Sequence, residues 1–405
     1  MPRMSGVVIV GAGHGAGQVA ASLRQKKYAS PVTMIGEETW LPYQRPPLSK
    51  KYLAGEMPAE RLYFKPESFY DTQDVTTRLG TRVTAIDREA KHVVTDAGDN
   101  VPYDDLVLAT GSRARTMDVP GIDLDGIHYL RGIDDVDGIR SGFADGRAIT
   151  IIGAGYIGLE VAAVAATAGM KVTVVEMADR VMSRVVSVEI SAFYQRVHRE
   201  HGVDLRLGTT LDGFAGDGRV DSVLLGSGER LATDLVVVGI GIVPNVELAA
   251  ACDLPVEDGI VVDDHCRTVD PNIYAIGDCT VHPNALLGRQ LRLESVHNAL
   301  EQAKTAAANI CGEDLSYAQI PWFWSDQYDL KLQIAGLAQG YDDVVLRGDP
   351  ADNAFACLYL RDGRLIAIDA INRPKDFIQS KPLIASGAMI EPTLLADVTR
   401  ELKEF

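Results

Sequence analysis

The hydrophobic pattern of the chain contains one internal repeat. Val7–Ala21 reads VVIVGAGHGAGQVAA and Ile149–Ala163 reads ITIIGAGYIGLEVAA. Each copy is an apolar run, a glycine turn and a segment of small residues, and each is followed by another apolar run, Val32–Ile35 or Val172–Val175. Apolar runs without polar alternation are typical of strands that are buried on both faces. The repeat therefore predicts two βαβ units, one in each of two nucleotide-binding domains.

The region between the two copies is predicted to be β structure. Thr77–Val101 contains strand-like segments with turn signals near its end. The apolar run Tyr103–Gly111 that follows is similar to Thr233–Gly241, which comes after the second copy. We expect these two similar runs to be strands that close the two nucleotide-binding domains.

From about Pro321 the chain becomes richer in aromatic residues and in short strand-like segments. The predicted strands are Ala354–Leu360 and Arg364–Ile368, and the predicted helices are Lys381–Ser386, with Pro382 in its first turn, and Pro392–Leu402. Proline is tolerated in the first turn of a helix because the amide there has no helical partner. The pattern predicts a smaller α+β domain.

The predicted fold class is α/β, with two Rossmann-like dinucleotide-binding domains plus a C-terminal α+β domain. The first nucleotide-binding domain is predicted to be discontinuous, since it combines residues 1–112 with residues 244–320. Residues 113–243 are predicted to form the second nucleotide-binding domain, and residues 321–405 the C-terminal domain.

Composition and charge exclude several kinds of partner. The net charge of −17 and the pI of about 4.9 argue against nucleic acid and anionic membranes. Neither a membrane-spanning apolar run nor a signal-peptide pattern is found, so we expect a cytoplasmic protein. The five cysteines are far apart and form no CxxC pair, so no metal site is predicted and each cysteine is expected to be a small core residue.

The first glycine motif, residues 11–16, has the spacing of a dinucleotide-binding turn. Gly11 permits the tight turn, Gly13 lets backbone amides approach a diphosphate, and Ala16 allows close packing of the helix on the strand. His14 and Gly15 complete the motif, at a helix N-terminus whose amides and dipole attract anions. Glu37 follows the second strand, where an acid is expected to bind a ribose hydroxyl.

The second glycine motif, residues 153–158, repeats this arrangement with Gly153, Gly155 and Gly158. Its acid is Glu176, which should bind the ribose hydroxyls of NADH and repel the 2′-phosphate of NADPH. Arg180 lies nearby in sequence and could soften that preference. We predict NADH at this motif, which leaves the first motif for FAD.

A late segment supports this division of the two cofactors. Thr268–Asp278 is an apolar strand that ends in Gly-Asp. An aspartate at this place could bind the ribitol chain of a flavin. The alternative is a strand followed by an ordinary turn that contains Asp278.

Several phrases beyond the glycine motifs carry a family resemblance. They are LPYQRPPLSK at 41–50, GYIGLE at 155–160, ESV at 294–296 and PWFWSDQ at 321–327. With them, nearly the whole chain resembles the NADH-dependent ferredoxin reductases of oxygenase systems. These belong to the flavoprotein superfamily with two dinucleotide-binding domains and a glutathione reductase-like architecture.

The resemblance implies roles for individual residues. Lys50 and Glu160 are implied as a catalytic pair near the flavin N5 and the nicotinamide, where each charge would offset the other's desolvation. The implied FAD contacts are Gly11, Gly13, His14, Gly15, Ala16, Glu37, Lys50, Val83, Ala109, Thr110, Gly111, Arg131, Asp278, Val296 and Trp324. The implied NADH contacts are Gly153, Gly155, Tyr156, Ile157, Gly158, Glu160, Glu176 and Gly241.

Two aromatic residues and one helix complete the implied flavin site. Trp322 and Trp324 would line the edge of the flavin ring, with ordinary core packing as the alternative for either one. Val296 would start a helix over Ser295–Ile310, stopped at Gly312, with its N-terminus directed at reduced FAD.

Disulphide reductases of the glutathione type have a cysteine pair beside the flavin, in the helix that follows the first βαβ unit. No cysteine precedes Cys252 in this chain, so the resemblance does not extend to that chemistry. The resemblance then implies transfer of electrons from NADH through FAD to a 2Fe–2S ferredoxin, which would feed a haem monooxygenase or a Rieske-type oxygenase. The alternatives are reduction of a small acceptor such as a quinone or monodehydroascorbate, reduction of a rubredoxin, or a non-enzymatic NADH sensor.

We expect a monomer or weak dimer. The basic residues considered for docking an acidic ferredoxin are Arg45, Lys51, Lys65, Arg289 and Lys304.

Overall fold

The computed structural model describes residues 5–285 and 288–405. Residues 1–4 of the predicted first domain and residues 286–287 lie outside this range. The chain forms two compact units. The first unit contains the residues up to Arg45, then Glu60–Arg113 and Val243–Pro321, and the second contains Pro46–Ala59, Ala114–Ile242 and Trp322–Phe405. The predicted second nucleotide-binding domain and the predicted C-terminal domain thus share one unit, and their boundary stays a prediction.

The first unit is built on a five-stranded parallel sheet. In spatial order its strands are Ile273–Ala275, Asp105–Leu108, Val7–Val10, Val32–Gly36 and Val75–Leu79. The strand of the first glycine motif is therefore central, and all four of its residues are buried. Each buried valine or isoleucine there contributes about 1.5–3 kcal/mol through the hydrophobic effect.

Smaller elements surround this sheet. The helices of the first unit are His14–Gln25, Glu67–Thr72, Glu247–Ala251 and Val296–Ile310, with a short 3₁₀ turn at Gly277–Cys279. Two three-stranded sheets are formed by Val83–Asp87, His92–Thr95 and Asn100–Pro102, and by Ile260–Val261, Thr280–Asn284 and Arg289–Leu291. A further 3₁₀ turn, Ala59–Leu62, and the strands Ser112–Ala114 and Ile242–Pro244 lie where the chain passes from one unit to the other.

The second unit repeats the parallel arrangement around the second glycine motif. In spatial order its strands are Asp204–Arg206, Lys171–Val175, Ala148–Ile152, Leu235–Val238 and Ile127–Tyr129. A three-stranded antiparallel sheet is formed by Leu211–Asp217, Arg219–Leu225 and Arg230–Ala232. The helices are Ile133–Arg140, Tyr156–Thr167 and Val188–Glu200, and Pro46–Ser49 is a 3₁₀ turn.

The rest of the second unit is an antiparallel sheet covered by a helix, as expected for an α+β region. In spatial order the strands are Trp322–Gln327, Leu330–Gly336, Arg364–Ile371, Phe355–Arg361 and Asp343–Arg347. The helix Pro374–Ser386 packs on this sheet, and the helix Pro392–Ala396 and the 3₁₀ turns Pro350–Asp352 and Leu402–Glu404 complete the unit. The two strands predicted in this region are confirmed to within a few residues.

Several details of the sequence interpretation were wrong. The helix predicted at Lys381–Ser386 begins at Pro374, so Pro382 lies inside it and not in its first turn. The final helix ends at Ala396 and not at Leu402. The runs expected to close each nucleotide-binding domain are inner strands, since each has a neighbour on both sides.

The expectation that every cysteine is a core residue is confirmed for three of the five cysteines. Cys266, Cys279 and Cys357 are buried as expected, whereas Cys252 and Cys311 are partly exposed. Within the described part of the chain, no helix combines the length and the apolar character that crossing a membrane requires.

Candidate functional site

The first glycine motif forms a tight turn at the end of the central strand of the first unit. Gly11 has φ of +117°, and a Cβ there would lie 2.2 Å from the carbonyl oxygen of Ala109. Only glycine fits this position. Gly13 precedes the helix His14–Gln25, and a Cβ at Gly13 would have no heavy atom of a described residue within 4 Å, apart from its two chain neighbours. Backbone amides on this side of the turn are therefore accessible to a diphosphate.

The second glycine motif has the same geometry in the second unit. Gly153 has φ of +101°, and a Cβ there would lie 2.5 Å from the carbonyl oxygen of Gly239. Gly155 precedes the helix Tyr156–Thr167 and, like Gly13, has open space where a Cβ would be. At Gly158 a Cβ would lie 2.1 Å from the carbonyl oxygen of Gly153, so the helix packs against the turn more closely here than an alanine allows.

The helix N-termini at both motifs lack a side-chain cap. Gly13 and Gly155 are the N-cap residues, and neither glycine has a side chain that could accept a hydrogen bond from the first helical amides. By contrast, Ser187 and Ser295 cap the helices that follow them. Uncapped amides together with the helix dipole suit a bound phosphate group, so the residues at both motifs fit a dinucleotide.

The two acids that follow the motifs have different partners. Glu176 accepts hydrogen bonds from the backbone amides of Ala154 (2.7 Å) and Ala178 (2.8 Å), so its carboxylate lies against the second glycine motif. Glu37 is exposed and forms an ion pair with Arg82, also exposed. A salt bridge at the surface contributes little to stability and is readily rearranged when a ligand binds.

Arg180 does not compete with Glu176 in this structure. Its guanidinium donates to the carbonyl oxygens of Ser183 (2.7 Å) and Val186 (3.0 Å) and to Oγ of Ser191 (2.6 Å). These hydrogen bonds hold the side chain against its own loop and the helix Val188–Glu200. It is therefore a structural arginine and is not available to soften a preference for NADH.

Other predicted FAD contacts in the first unit cluster at the ends of its strands. Ala109, Thr110 and Gly111 follow an inner strand, and Thr110 Oγ1 donates to the carbonyl oxygen of Asn245 at 2.7 Å. The Asn245 side chain donates in return to the carbonyl oxygen of Thr110 at 2.9 Å. Asn245 was missed in the sequence, although it follows the second of the two similar apolar runs.

The remaining predicted contacts of this unit occupy element ends. Asp278 lies in a 3₁₀ turn and accepts a hydrogen bond from Ser112 Oγ at 2.8 Å. Val83 begins a strand and is buried, and Val296 begins the helix Val296–Ile310, one residue later than predicted. Lys50, Arg131 and Trp324 belong to the second unit, and their assignment to FAD stays a prediction.

The residues predicted for NADH gather around the second glycine motif. Tyr156 begins the helix, and its ring centroid lies 4.7 Å from that of Phe323. The side chain of Ile157 is 41% exposed, because this residue lies in the first turn of the helix. An apolar side chain at this place would be covered by a bound dinucleotide. Gly241 has φ of +106° after an inner strand of the same sheet.

Lys50 and Glu160 form an ion pair in the second unit. Lys50 Nζ lies 2.6 Å from Glu160 Oε2, and Glu160 is 2% exposed. The same carboxylate accepts hydrogen bonds from Ser49 Oγ at 2.5 Å and from Ser325 Oγ at 2.6 Å. Three donors around one carboxylate offset the free-energy cost of burying it.

The edge strand Trp322–Gln327 presents two different faces, because side chains alternate along a strand. The face with Phe323, Ser325 and Gln327 lies toward Tyr156 and Glu160, as the ring contact and hydrogen bond described above establish. Trp322 and Trp324 share the opposite face, with ring centroids 5.4 Å apart. The sequence drew attention to the tryptophans, whereas Ser325 and Gln327 were missed.

Two of the basic residues considered for docking already have acidic partners. Arg45 pairs with Glu38 (2.5 Å), and Lys304 pairs with Glu301 (2.6 Å). The Arg45 side chain is only 23% exposed, so it is a poor docking residue. Lys65 lies over the rings of Phe64 and Phe69, while Lys51 and Arg289 are exposed.

Two protein-family models together match almost the whole chain. The family model described as pyridine nucleotide-disulphide oxidoreductase matches residues 5–303, and the one described as reductase C-terminal matches residues 322–405. This chain belongs to the pyridine nucleotide-disulphide oxidoreductase family. Family members use FAD and a pyridine nucleotide, in agreement with the two motifs found here.

Similar members of the family are named as reductases of electron-transfer proteins. The ferredoxin–NAD(+) reductase component of an anthranilate 1,2-dioxygenase system of Burkholderia cepacia is 45% identical, with 98% of both chains covered. Putidaredoxin reductase of Pseudomonas putida is 44% identical, over 98% of this chain and 96% of that one. A solved covalent putidaredoxin reductase–putidaredoxin complex matches with a TM-score of 0.96 at 44% identity, covering 99% of this chain and 97% of that one.

The positions of the cysteines distinguish this chain from family members that reduce disulphides. No cysteine precedes Cys252, so the first glycine motif and the segment that follows it contain no thiol. The polar side chains described in this part of the first unit are instead the hydroxyls of Thr110 and Ser112, the amide of Asn245 and the carboxylate of Asp278. A bound flavin would therefore have no thiol partner from this part of the chain.

Proposed function

We propose that this chain is an NADH-dependent ferredoxin reductase, which uses bound FAD to pass electrons from NADH to a 2Fe–2S ferredoxin. The observation that carries the proposal is its similarity, over the whole chain, to relatives named as ferredoxin reductases and to the reductase solved with putidaredoxin. The lack of a cysteine before Cys252 supports an external electron acceptor. The ferredoxin would supply a haem monooxygenase or a Rieske-type oxygenase.

The residues of the first unit are proposed to hold FAD. The uncapped helix at Gly13 would bind the diphosphate, and Glu37 would exchange its surface ion pair for a ribose hydroxyl. Asp278, already held by Ser112, would accept a hydrogen bond from the ribitol chain. When bound, FAD takes up two electrons together and can release them singly.

The residues of the second glycine motif are proposed to hold NADH. The helix N-terminus at Gly155 would bind the diphosphate, and Glu176 would accept hydrogen bonds from both hydroxyls of the adenosine ribose. The 2′-phosphate of NADPH would meet the Glu176 carboxylate, and Arg180 is held by its own loop and the helix Val188–Glu200. We therefore infer a preference for NADH.

The Lys50–Glu160 pair is proposed to orient the nicotinamide. The 2.6 Å ion pair is held at both carboxylate oxygens, so its geometry is restricted before NADH binds. A restricted pair of charges can fix the angle at which the nicotinamide presents its hydride. Neither residue needs to act as a nucleophile.

The test is an anaerobic stopped-flow experiment on the FAD-loaded protein. NADH should bleach the flavin absorbance rapidly, and fast reduction of cytochrome c should then require an added 2Fe–2S ferredoxin. Rapid bleaching without a ferredoxin response, but with turnover of a rubredoxin, a quinone or ascorbyl radical, would contradict the proposal. Slow turnover with every acceptor would favour an NADH sensor instead.

We further propose that the protein acts in the cytoplasm as a monomer or weak dimer. The similarity of the chain to putidaredoxin reductase supports the location. Cell fractionation tests the location, and light scattering over a range of protein concentrations tests the oligomeric state. A stable dimer at nanomolar concentration would contradict the second part.

A further inference from the structure

A continuous row of hydrogen bonds runs through the second unit and ends at Glu160. Ser325 Oγ lies 2.6 Å from Glu160 Oε1, and Gln327 Nε2 lies 3.3 Å from Ser325 Oγ. Gln327 Oε1 lies 2.8 Å from His198 Nε2, and Tyr328 Oη lies 3.1 Å from His198 Nδ1. Glu160, Ser325, Gln327 and His198 are each no more than 2% exposed. The row thus joins a strand of the antiparallel sheet to two helices.

Glu160, at the end of the row, determines which partner donates and which accepts in every hydrogen bond of the row. The Glu160 carboxylate, paired with Lys50, can only accept, so Ser325 must donate its single proton to Glu160. Ser325 must then accept from the Gln327 amide, which turns the Gln327 carbonyl toward His198. His198 must therefore carry its proton on Nε2 and accept from Tyr328 on Nδ1.

The protonation of His198 agrees with this direction. Burial lowers the pKa of His198 to about 4, so the ring is neutral near pH 7 and has only one proton to donate. Burial raises the pKa of Tyr328, so this hydroxyl keeps its proton and donates it. The Tyr328 ring is also fixed, since it stacks on His201 with centroids 3.7 Å apart.

We propose that Ser325, Gln327 and His198 are positioning residues, which fix the Glu160 carboxylate beside Lys50 for the reaction with NADH. The inference rests on the proposed function of the Lys50–Glu160 pair. Ser49 and Lys50 hold one carboxylate oxygen, and Ser325 holds the other. Loss of the Ser325 hydroxyl would free the second oxygen and leave the buried carboxylate able to turn.

Two titratable phenols near Glu160 supply no competing charge. Tyr156 and Tyr194 lie close enough to interact electrostatically with Glu160. Burial raises the pKa of both phenols, so both are neutral near pH 7. Lys50 is then the charged partner of the carboxylate, and the orientation of the carboxylate determines how Lys50 is held.

The first test measures the tautomer of His198 by NMR on protein with ¹⁵N-labelled histidine. The wild-type ring should be the Nε2–H form. In Glu160→Gln, Ser49 and Lys50 would hold the amide oxygen, so the amide nitrogen would face Ser325 and donate to it. The row then reverses, and His198 should become the Nδ1–H form. The control Glu176→Gln should leave the wild-type tautomer unchanged.

An Nδ1–H ring in the wild-type protein would overturn the proposal, as would the same tautomer in wild type and in Glu160→Gln. The measurement needs no bound cofactor and no electron acceptor. If no ferredoxin accepts electrons from the wild-type protein, the proposed function fails while this test still decides the inference.

The second test measures reduction of bound flavin by NADH in Ser325→Ala. The rate at saturating NADH should fall by about ten- to a hundredfold, since a hydrogen bond to a charged group is lost. The dissociation constant for NADH should be unchanged. Ser325→Thr keeps the hydroxyl and should recover most of the rate. A wild-type rate in Ser325→Ala would overturn the proposal.

The matched control for this substitution is Ser380→Ala. Ser380 is also a fully buried serine of the second unit, but its hydroxyl donates to the carbonyl oxygen of Phe377 and takes no part in the row. Its variant should reduce flavin at the wild-type rate. An equal loss of rate in the two alanine variants would reveal a general packing effect and contradict the positioning role.

Discussion

The two nucleotide-binding halves of the molecule share one plan and differ in small substitutions. In each, the strand of the glycine motif is central in a five-stranded parallel sheet, and a three-stranded antiparallel sheet precedes an inner strand. The first glycine of each motif approaches the carbonyl that follows this inner strand, at Ala109 for Gly11 and at Gly239 for Gly153. The turn is thus determined by backbone contacts that the two halves share.

The two halves differ at the third position of the glycine motif and in the contacts of the acid that follows the second strand. The third position of the motif is Ala16 in the first half and Gly158 in the second. The acid of the first half, Glu37, points to a surface arginine, whereas Glu176 lies against its own glycine turn. The glycine turn is therefore common to both halves, while the packing of the helix and the direction of the acid are specific to each half.

The largest expected effect comes from Gly158→Ala, which gives the second half the residue of the first. The new Cβ would overlap the Gly153 carbonyl oxygen, so the helix or the turn must shift. We expect NADH binding to weaken by about a hundredfold, and the melting temperature to fall as well. Calorimetric titration with NADH and thermal melts measure both.

The matched variant for this prediction is Gly155→Ala. Apart from its two chain neighbours, no described residue has a heavy atom within 4 Å of a Cβ at Gly155, so the melting temperature should remain that of the wild type. NADH binding should still weaken, because the methyl group would occupy the space that we propose for the diphosphate. Wild-type NADH binding in both variants would contradict the assignment of this motif to NADH.

A second large effect is expected from a buried acid in the antiparallel sheet of residues 322–371 of the second unit, outside the two nucleotide-binding halves. Burial raises the pKa of Asp369 to about 7, although Tyr359 donates a 2.5 Å hydrogen bond to it. The folded protein therefore binds this proton more tightly than the unfolded chain. The stability that the protonated acid contributes is present at low pH and is lost as the pH rises through about 7.

Asp369→Asn should remove this pH dependence while keeping a hydrogen-bond acceptor for Tyr359. The unfolding free energy of the variant minus that of the wild type should increase by about 2–4 kcal/mol as the pH rises from 4 to 8. Urea unfolding of the second unit, followed through its tryptophans, measures the difference. A difference that stays constant with pH would show that Asp369 does not titrate in this range.

A smaller effect is expected on coenzyme choice in Glu176→Ala. The ratio of kcat/KM for NADH to that for NADPH should fall by about tenfold, because two ribose hydrogen bonds and the repulsion of the 2′-phosphate are both lost. Steady-state kinetics with each coenzyme measures the ratio. Glu37→Ala, which changes the acid of the other half, should leave the ratio unchanged.

The smallest effect is expected from Ala16→Gly, which gives the first half the residue of the second. Ala16 is fully buried in the helix, so glycine there should cost about 1 kcal/mol of stability through backbone entropy. FAD should remain bound, since the turn itself is unchanged. Complete loss of FAD on gel filtration would mean that the methyl group, and not the turn, determines flavin binding.

Sequence patterns were sufficient for the two glycine motifs because their geometry is local. Gly11 and Gly153 adopt their positive φ within a single strand–turn–helix unit, so residue type and spacing are enough to identify it. The helix at Val296 was predicted to within one residue because Ser295 caps it and Gly312 follows it. Local signals of this kind do not depend on the rest of the fold.

The errors occurred where distant parts of the chain decide the structure. Pro382 was read as a first-turn residue, but burial of Phe377 against the sheet extends the helix back to Pro374. The partners of Glu160 could not be read from spacing either. Ser49 precedes it and Ser325 follows it, each more than a hundred residues away in sequence.

The two faces of the strand Trp322–Gln327 constrain how this segment can evolve. Substitutions can change one face and leave the other intact. A deletion or insertion of one residue would exchange the faces, because side chains alternate along a strand. Trp324 would then turn toward Glu160, and Ser325 would turn away from it. Among related sequences, we expect this segment to vary in residue type but to keep its length.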